Sequence, residues 1–166
     1  MHKQIEEYCK TIKNILPTHF KDKKVLDVGS LDINGNNRYL FEDCFYIWVD
    51  LWEWPNVDIV IPIHKLEWEE IYDTIISTEM LEHNQYYIES LINMNKLLKR
   101  WWLLLITCAT TWRNEHWTSN TSPKDAPFTN DYYKNIVESD FDCIKNDFNF
   151  EISILNTDLR FYGIKK

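Results

Sequence analysis

The sequence predicts an α/β fold built on a mostly parallel sheet that closes with an antiparallel hairpin. Three observations carry that reading. Short apolar runs alternate with amphipathic stretches of helical length, the order that produces parallel strands joined by crossover helices. The run Lys24 to Val28 stops at Gly29 and Ser30, and a second run, Tyr46 to Val49, stops on Asp50, the spacing of about 20 residues at which two strand ends share a nucleoside ligand. Near the C-terminus, Asn156, Thr157 and Asp158 separate two further apolar runs, with no room for a crossover helix, so those two strands must pair antiparallel.

Taken in order, Ile5, Tyr8, Cys9, Ile12, Ile15 and Leu16 recur at three- and four-residue steps until Pro17. This predicts an N-terminal helix within 1–17 that packs on the sheet and closes one end of a ligand cleft. Strands are expected at 24–28, 45–50, 57–61, 73–78, 103–108, 147–155 and 159–165. Asn36 to Glu42 reads as a short helix whose N-terminus points at the space beyond Gly29. Tyr86 to Lys99 reads as a longer one, with Ile88, Leu91, Ile92 and Leu98 facing inward, and Asn130 to Glu138 as a third with Thr129 as its N-cap. Ala109 to Pro127 is long and polar and contains Pro123 and Pro127, the character of a loop over an active site. The 166 residues fit one domain over 1–166, long enough to bury a full sheet core.

The formal net charge of −8 gives no long-range attraction to a phosphate backbone, so small molecules, glycans or protein groups are better partners than DNA. Cys9, Cys44, Cys108 and Cys143 lie far apart without CxxC spacing, which indicates neither a zinc knuckle nor a disulfide framework and suits a reduced, cytoplasmic protein. No metal is expected from these spacings. The longest uninterrupted apolar run, Trp101 to Ile106, is too short to span a bilayer, so no membrane is expected as a partner.

The ordered pieces VLDVGS at 25–30 with Asn34 and Gly35, VDL at 49–51, VDIV at 57–60, YDTIISTEMLEH at 72–83, LLLIT at 103–107 and FYGIKK at 161–166 cover nearly the whole chain. In that order they resemble the class I S-adenosylmethionine-dependent methyltransferases of the small stand-alone type. The resemblance implies a Rossmann-like three-layer sandwich with a seven-stranded sheet of order 3-2-1-4-5-7-6, and S-adenosylmethionine as cofactor. It places Asp27, Gly29, Ser30, Asn34 and Gly35 around the methionine part, with Asp27 near its ammonium group. Asp50 falls at the ribose, Leu51 at the adenine, and Thr78 and Glu79 beside the sulfonium. The adenine edge departs from the family, because Ile61, Pro62, Ile63 and His64 stand where an acidic residue is common; His64 is either an adenine contact or an ordinary loop histidine.

Glu82 and His83 follow one turn after Glu79. A neutral imidazole can take a proton from an attacking hydroxyl, so His83 is either the base or simply the start of a helix. In the long loop, Arg113 and Glu115 are candidates to orient a substrate and His116 is a second candidate base. The sequence after the fourth strand, Ser77, Thr78, Glu79, Met80, is not the Asp/Asn-Pro-Pro-aromatic tetrad of DNA amino-methyltransferases. The expected function is methyl transfer to a small molecule, glycan or protein group. The alternatives are an inactive binding or scaffold protein on the same fold and, disfavoured by the missing GxGxxG, a nicotinamide-dependent oxidoreductase.

One departure stands out. The chain has 3 glycines and 8 tryptophans, against a usual glycine share of ~7%. Trp48, Trp52, Trp54, Trp101, Trp102, Trp112 and Trp117 stand where glycine would be unsurprising, and Trp68 does not. A gene that uses UGA for glycine, read with UGA as tryptophan, produces this pattern. The other reading is a chain rich in tryptophan for packing, with Trp52 free to stack on adenine and Trp101 and Trp102 in a turn, where φ > 0 is the usual reason for glycine.

Overall fold

The computed structural model describes residues 3–33, 35–68 and 70–166. Its seven strands form one sheet of order β3-β2-β1-β4-β5-β7-β6: β1 (Lys24–Val28), β2 (Phe45–Asp50), β3 (Ile59–Val60), β4 (Tyr72–Thr78), β5 (Leu98–Ala109), β6 (Phe148–Leu155) and β7 (Asp158–Lys165). Strands β1 to β5 pair in parallel, and β7 runs antiparallel to both β5 and β6. The polar break at 156–157 is the hairpin turn, and Asn156 takes the left-handed φ of 57° that such a short connection needs.

Because successive side chains on a strand point to opposite faces, each central strand feeds two cores. Val25, Ile76, Leu103 and Leu105 pack with Ile5, Cys9 and Ile12 of helix α1 (Lys3–Ile15) on one face. Leu26, Ile75, Leu104 and Ile106 pack with Leu91, Met94 and Leu97 of helix α2 (Tyr87–Leu97), and with Phe141 and Phe161, on the other. This is the three-layer arrangement. All four cysteines are free, and among the described residues no helix is long and apolar enough to cross a membrane.

Several local expectations need correction. Helix α1 lies flat on the sheet, and none of its residues lines the cleft described below. The Asn36 to Glu42 segment forms only a three-residue 3-10 turn at Arg38–Leu40. On α2, Ile92 is exposed and Ile88 half-buried, while Met94 fills the core in their place. The helix expected over Asn130 to Glu138 is absent. Asn130 and Asp131 both adopt left-handed φ, and the chain beyond them is pinned extended by Lys134 N–H to the Glu82 carbonyl and Ile136 N–H to the Ala109 carbonyl. Tertiary hydrogen bonds override the local pattern there. Trp101 and Trp102 lie within β5 rather than in a turn: β4 advances from Tyr72 to Thr74 while β5 advances from Leu98 to Leu103, so the tryptophans occupy a bulge.

Candidate active site

A cleft of about 1130 Å³ opens at the carboxyl ends of β1, β2 and β4, where open α/β sheets hold their ligands. Its floor begins with the β1 turn. Gly29 has φ +75°, and a Cβ there would meet the Met80 side chain at 2.3 Å, so glycine is required both by the backbone and by Met80 packing against it. The Gly29 N–H donates to the Val49 carbonyl at 3.0 Å, and the Ser30 hydroxyl donates to the same oxygen at 3.2 Å, which ties the β1 turn to β2. Gly35 lines the cleft with φ +94° and open space where a Cβ would be. Asn34 lies outside the described residues.

Asp27 lines this floor and is almost wholly buried. Its carboxylate accepts from the Tyr46 hydroxyl at 2.6 Å and from Asn37 Nδ2 at 3.2 Å. Burial pushes the Asp27 carboxyl up to about 6, with those hydrogen bonds pulling the other way. Asn37, which sequence reasoning missed, also donates to Thr78 Oγ1 at 3.1 Å and leaves its own Oδ1 buried without a partner. An unpaired acceptor beside a buried carboxylate is a fitting cradle for a ligand ammonium group.

Asp50, at the end of β2, accepts from the Leu31 N–H at 3.3 Å and from the Trp52 N–H at 3.1 Å, and burial raises its pKa. Leu51, Ile61, Ile63, His64 and Tyr86 continue the wall from there. The His64 and Tyr86 rings meet with centroids 4.5 Å apart, and His64 Nδ1 is buried and unpartnered. Trp48 and Trp52 do not line the cleft, so neither crowds it and Trp52 is not placed to stack on a ligand there.

The opposite wall is acidic and aromatic. Glu79 follows β4 with a left-handed φ of 56°, a conformation that costs a non-glycine residue about 1–3 kcal/mol and gathers at functional sites. Burial, then the Asp158 charge, raises its carboxyl to about 7, against the pull of Arg113 at 3.7 Å. Arg113 also donates to Asp158 Oδ1 at 3.0 Å, so it serves carboxylates of the protein itself. Glu82 is fully buried behind the cleft wall; Ala109 N–H donates to its Oε1 at 3.0 Å, and burial keeps its pKa well above the ordinary range. His83 and His116 line the cleft with ring centroids 4.8 Å apart, both packed against Tyr133. Burial, reinforced by the neighbouring His116, lowers His83 to about 4, so its imidazole is neutral at physiological pH. Glu115 also lines the cleft and accepts from Thr118 Oγ1 at 2.5 Å.

The family model described as "Methyltransferase domain" matches residues 1–134, most of the chain. The chain belongs to the methyltransferase-domain family. The cofactor of these methyltransferases is S-adenosylmethionine, and the acceptors at Asp27, Asn37 and Asp50 fit its ammonium and ribose groups. No curated protein matches the chain in sequence. Among solved structures it is similar to a 1,6-didemethyltoxoflavin-N1-methyltransferase of Burkholderia thailandensis, crystallised with bound 1,6-didemethyltoxoflavin and S-adenosylhomocysteine, at TM-score 0.69 and 15% identity over 95% of this chain and 76% of that one. A phosphoethanolamine N-methyltransferase 2 of Haemonchus contortus gives TM-score 0.69 and 15% identity over 96% of this chain. This chain spans only 52% of that protein's length. N-methyltransferase NodS of Bradyrhizobium japonicum, solved with S-adenosylhomocysteine, gives TM-score 0.64 and 12% identity over 96% of this chain and 86% of that one. At these identities the likeness concerns the methyltransferase fold.

Proposed function

We propose that this chain is an active, cytoplasmic methyltransferase that alkylates a small molecule, glycan or protein group by direct in-line transfer, working as one domain over 1–166. When bound, S-adenosylmethionine supplies an electrophilic sulfonium methyl. In this reading Asp27 and Asn37 hold its ammonium group and Asp50 its ribose hydroxyls, while Leu51, His64 and Tyr86 pack on the adenine. Thr78 and Glu79 face the reacting centre. His83 and His116 stand where an acceptor enters, Arg113 and Glu115 orient it, and Glu82 acts through the histidines, since it does not reach the cleft surface. The observation that carries the reading is the unpaired Asn37 Oδ1 beside the Asp27 carboxylate, at the floor of a cleft formed by three strand ends. Charge −8 and a Ser-Thr-Glu-Met sequence at the end of β4 support a non-DNA acceptor.

The test is an incubation with methyl-labelled cofactor and a panel of hydroxylated small molecules, oligosaccharides and peptides, following S-adenosylhomocysteine release. Release that depends on one acceptor class supports the enzyme. Tight cofactor binding with no acceptor-dependent release across the panel would establish the inactive scaffold instead. That alternative drew its strength from tryptophans crowding the cleft, and Trp48 and Trp52 stand outside it.

The tryptophans themselves support a narrower version of the recoding reading. Trp101, Trp112 and Trp117 hold φ of 72°, 74° and 58°, a conformation that costs an L-residue roughly 1–2 kcal/mol and glycine almost nothing. Trp101 is 66% and Trp112 88% exposed, so packing does not offset the strain. Trp48, Trp52, Trp54 and Trp102 do not share that conformation. In this proposal the natural protein carries glycine at positions 101, 112 and 117, and the cleft mouth is correspondingly wider, because Trp112 and Trp117 line it. UGA codons at these positions support it, and a UGG codon at any one of them removes that position from the proposal.

A further inference from the structure

We propose that Glu82, His83 and His116 form a binding site for one divalent transition-metal cation, set in the cleft wall so that its open side faces the methyl acceptor. Each offers one ligand atom, and these atoms lie within 4.8 Å of one another. Two imidazoles with one carboxylate suit Zn²⁺, Fe²⁺ or Mn²⁺, whereas Mg²⁺ and Ca²⁺ prefer all-oxygen sets.

The tautomers agree with this assignment. His83 Nδ1 faces the Tyr132 carbonyl oxygen at 3.3 Å, and His116 Nδ1 faces the Asn114 carbonyl oxygen at 3.0 Å. A carbonyl can only accept, so in each ring Nδ1 carries the proton and Nε2 is the basic nitrogen. Backbone partners of this kind fix the orientation of metal-binding histidines.

Glu82 supplies an independent observation. It is fully buried, one oxygen is taken by the Ala109 N–H, and Oε2 is buried with no hydrogen-bond partner. Arg113 bridges Glu79 and Asp158, Arg160 reaches Asp158 at 4.0 Å, and among the described residues no ion pair involves Glu82. A cation would give this unpartnered oxygen a partner. Ligand atoms around a bound ion stand about 3–4 Å apart at metal–ligand distances near 2.1 Å. The cluster therefore has to contract by roughly 1 Å, and His116, on the 110–117 loop, is the member best placed to shift.

The metal site stands on this geometry alone, and its role rests on the methyl-transfer reading. It favours a hydroxyl acceptor. The acceptor oxygen occupies an open coordination position, its O–H bond breaks and the proton passes to water. An oxygen lone pair then forms the new C–O bond as the C–S bond breaks, its electrons leaving with the neutral thioether.

Titration of Co²⁺ alone into the full chain, followed by visible absorption, tests the site. One equivalent should bind with ligand-field bands of a nitrogen- and oxygen-ligated ion, and Glu82→Gln and His116→Ala should each weaken binding at least tenfold while circular dichroism shows the variants folded. Failure of the wild-type chain to bind at millimolar Co²⁺ overturns the site whether or not the variants fold, and so does a wild-type spectrum unchanged in the folded variants. A parallel titration with S-adenosylhomocysteine separates the two readings. Its binding without cobalt leaves the methyltransferase and removes the metal; cobalt binding without it supports the site and removes the proposed role.

Discussion

Replacing Asp27 with asparagine should stabilise the empty protein and weaken its cofactor binding, two effects of opposite sign from one carboxyl. Asp27 is 2% exposed, and burial lifts it from 3.8 to about 6. The sign follows from linkage: a carboxyl whose folded pKa lies above its unfolded value makes the folded state the better proton acceptor, so stability falls as pH rises from about 4 to about 6 and stays lower above that. The difference is worth about 3 kcal/mol at pH 7. The substituted amide would keep one acceptor for Tyr46 or Asn37 but lose the ideal geometry of the other, at about 1 kcal/mol. Urea unfolding at pH 7 should therefore show Asp27→Asn more stable by about 1–2 kcal/mol, and its stability should fall less steeply than the parent's between pH 4 and 6, the remaining slope coming from Asp50, Glu79 and Glu82, whose carboxyls burial also raises. The cofactor ammonium needs the ionised form, so S-adenosylhomocysteine affinity of the natural chain should drop about tenfold between pH 7 and pH 5. In the variant it should be at least tenfold weaker at pH 7 and flat with pH. A variant with the parent's pH dependence of stability would refute the assignment of that titration to Asp27.

Three further outcomes follow from the same geometry. Gly29→Ala should destabilise by more than about 2 kcal/mol in urea, through φ +75° and the contact with Met80; Met80→Ala in that background should recover only part, because the backbone strain remains. Asn37→Ala should leave the fold intact by circular dichroism and weaken S-adenosylhomocysteine about tenfold in calorimetry, by removing the free Oδ1. Glu79→Gly should raise thermal stability by about 1 kcal/mol by relieving the left-handed strain while lowering turnover; equal losses in both would show that the strain has no functional role.

Much of the molecule was legible because strands and strand ends are local signals. The β1 and β2 boundaries follow from apolar runs that stop at Gly29 and Asp50, and the β6–β7 hairpin from a break too short to cross over. Asp27, Asp50, Thr78 and Glu79 reach one cleft because parallel strands deliver their carboxyl ends to one edge. The failures are places where distant partners decide. Residues 130–137 have a helix-like sequence but are held extended by hydrogen bonds to Glu82 and Ala109. Asn37 and Tyr46 matter through Asp27, across a turn and a neighbouring strand, and neither sits in a motif. Asp158 becomes part of the site only when β7 pairs antiparallel with β5 and brings it to Arg113. The bulge at Trp101 was half legible: the residue type was odd for its place, but only the register of β4 against β5 shows why.

Calorimetric titration of S-adenosylhomocysteine into the chain and into Asp50→Ala tests the central claim, that this cleft is a cofactor site, most directly. Asp50 closes β2 and faces the cleft with two backbone N–H partners. Binding of one equivalent to the chain, weakened about 10–100-fold in the variant by loss of the ribose contacts, is the predicted result. No heat of binding to the folded chain, and none to a version with glycine at positions 101, 112 and 117, would contradict it.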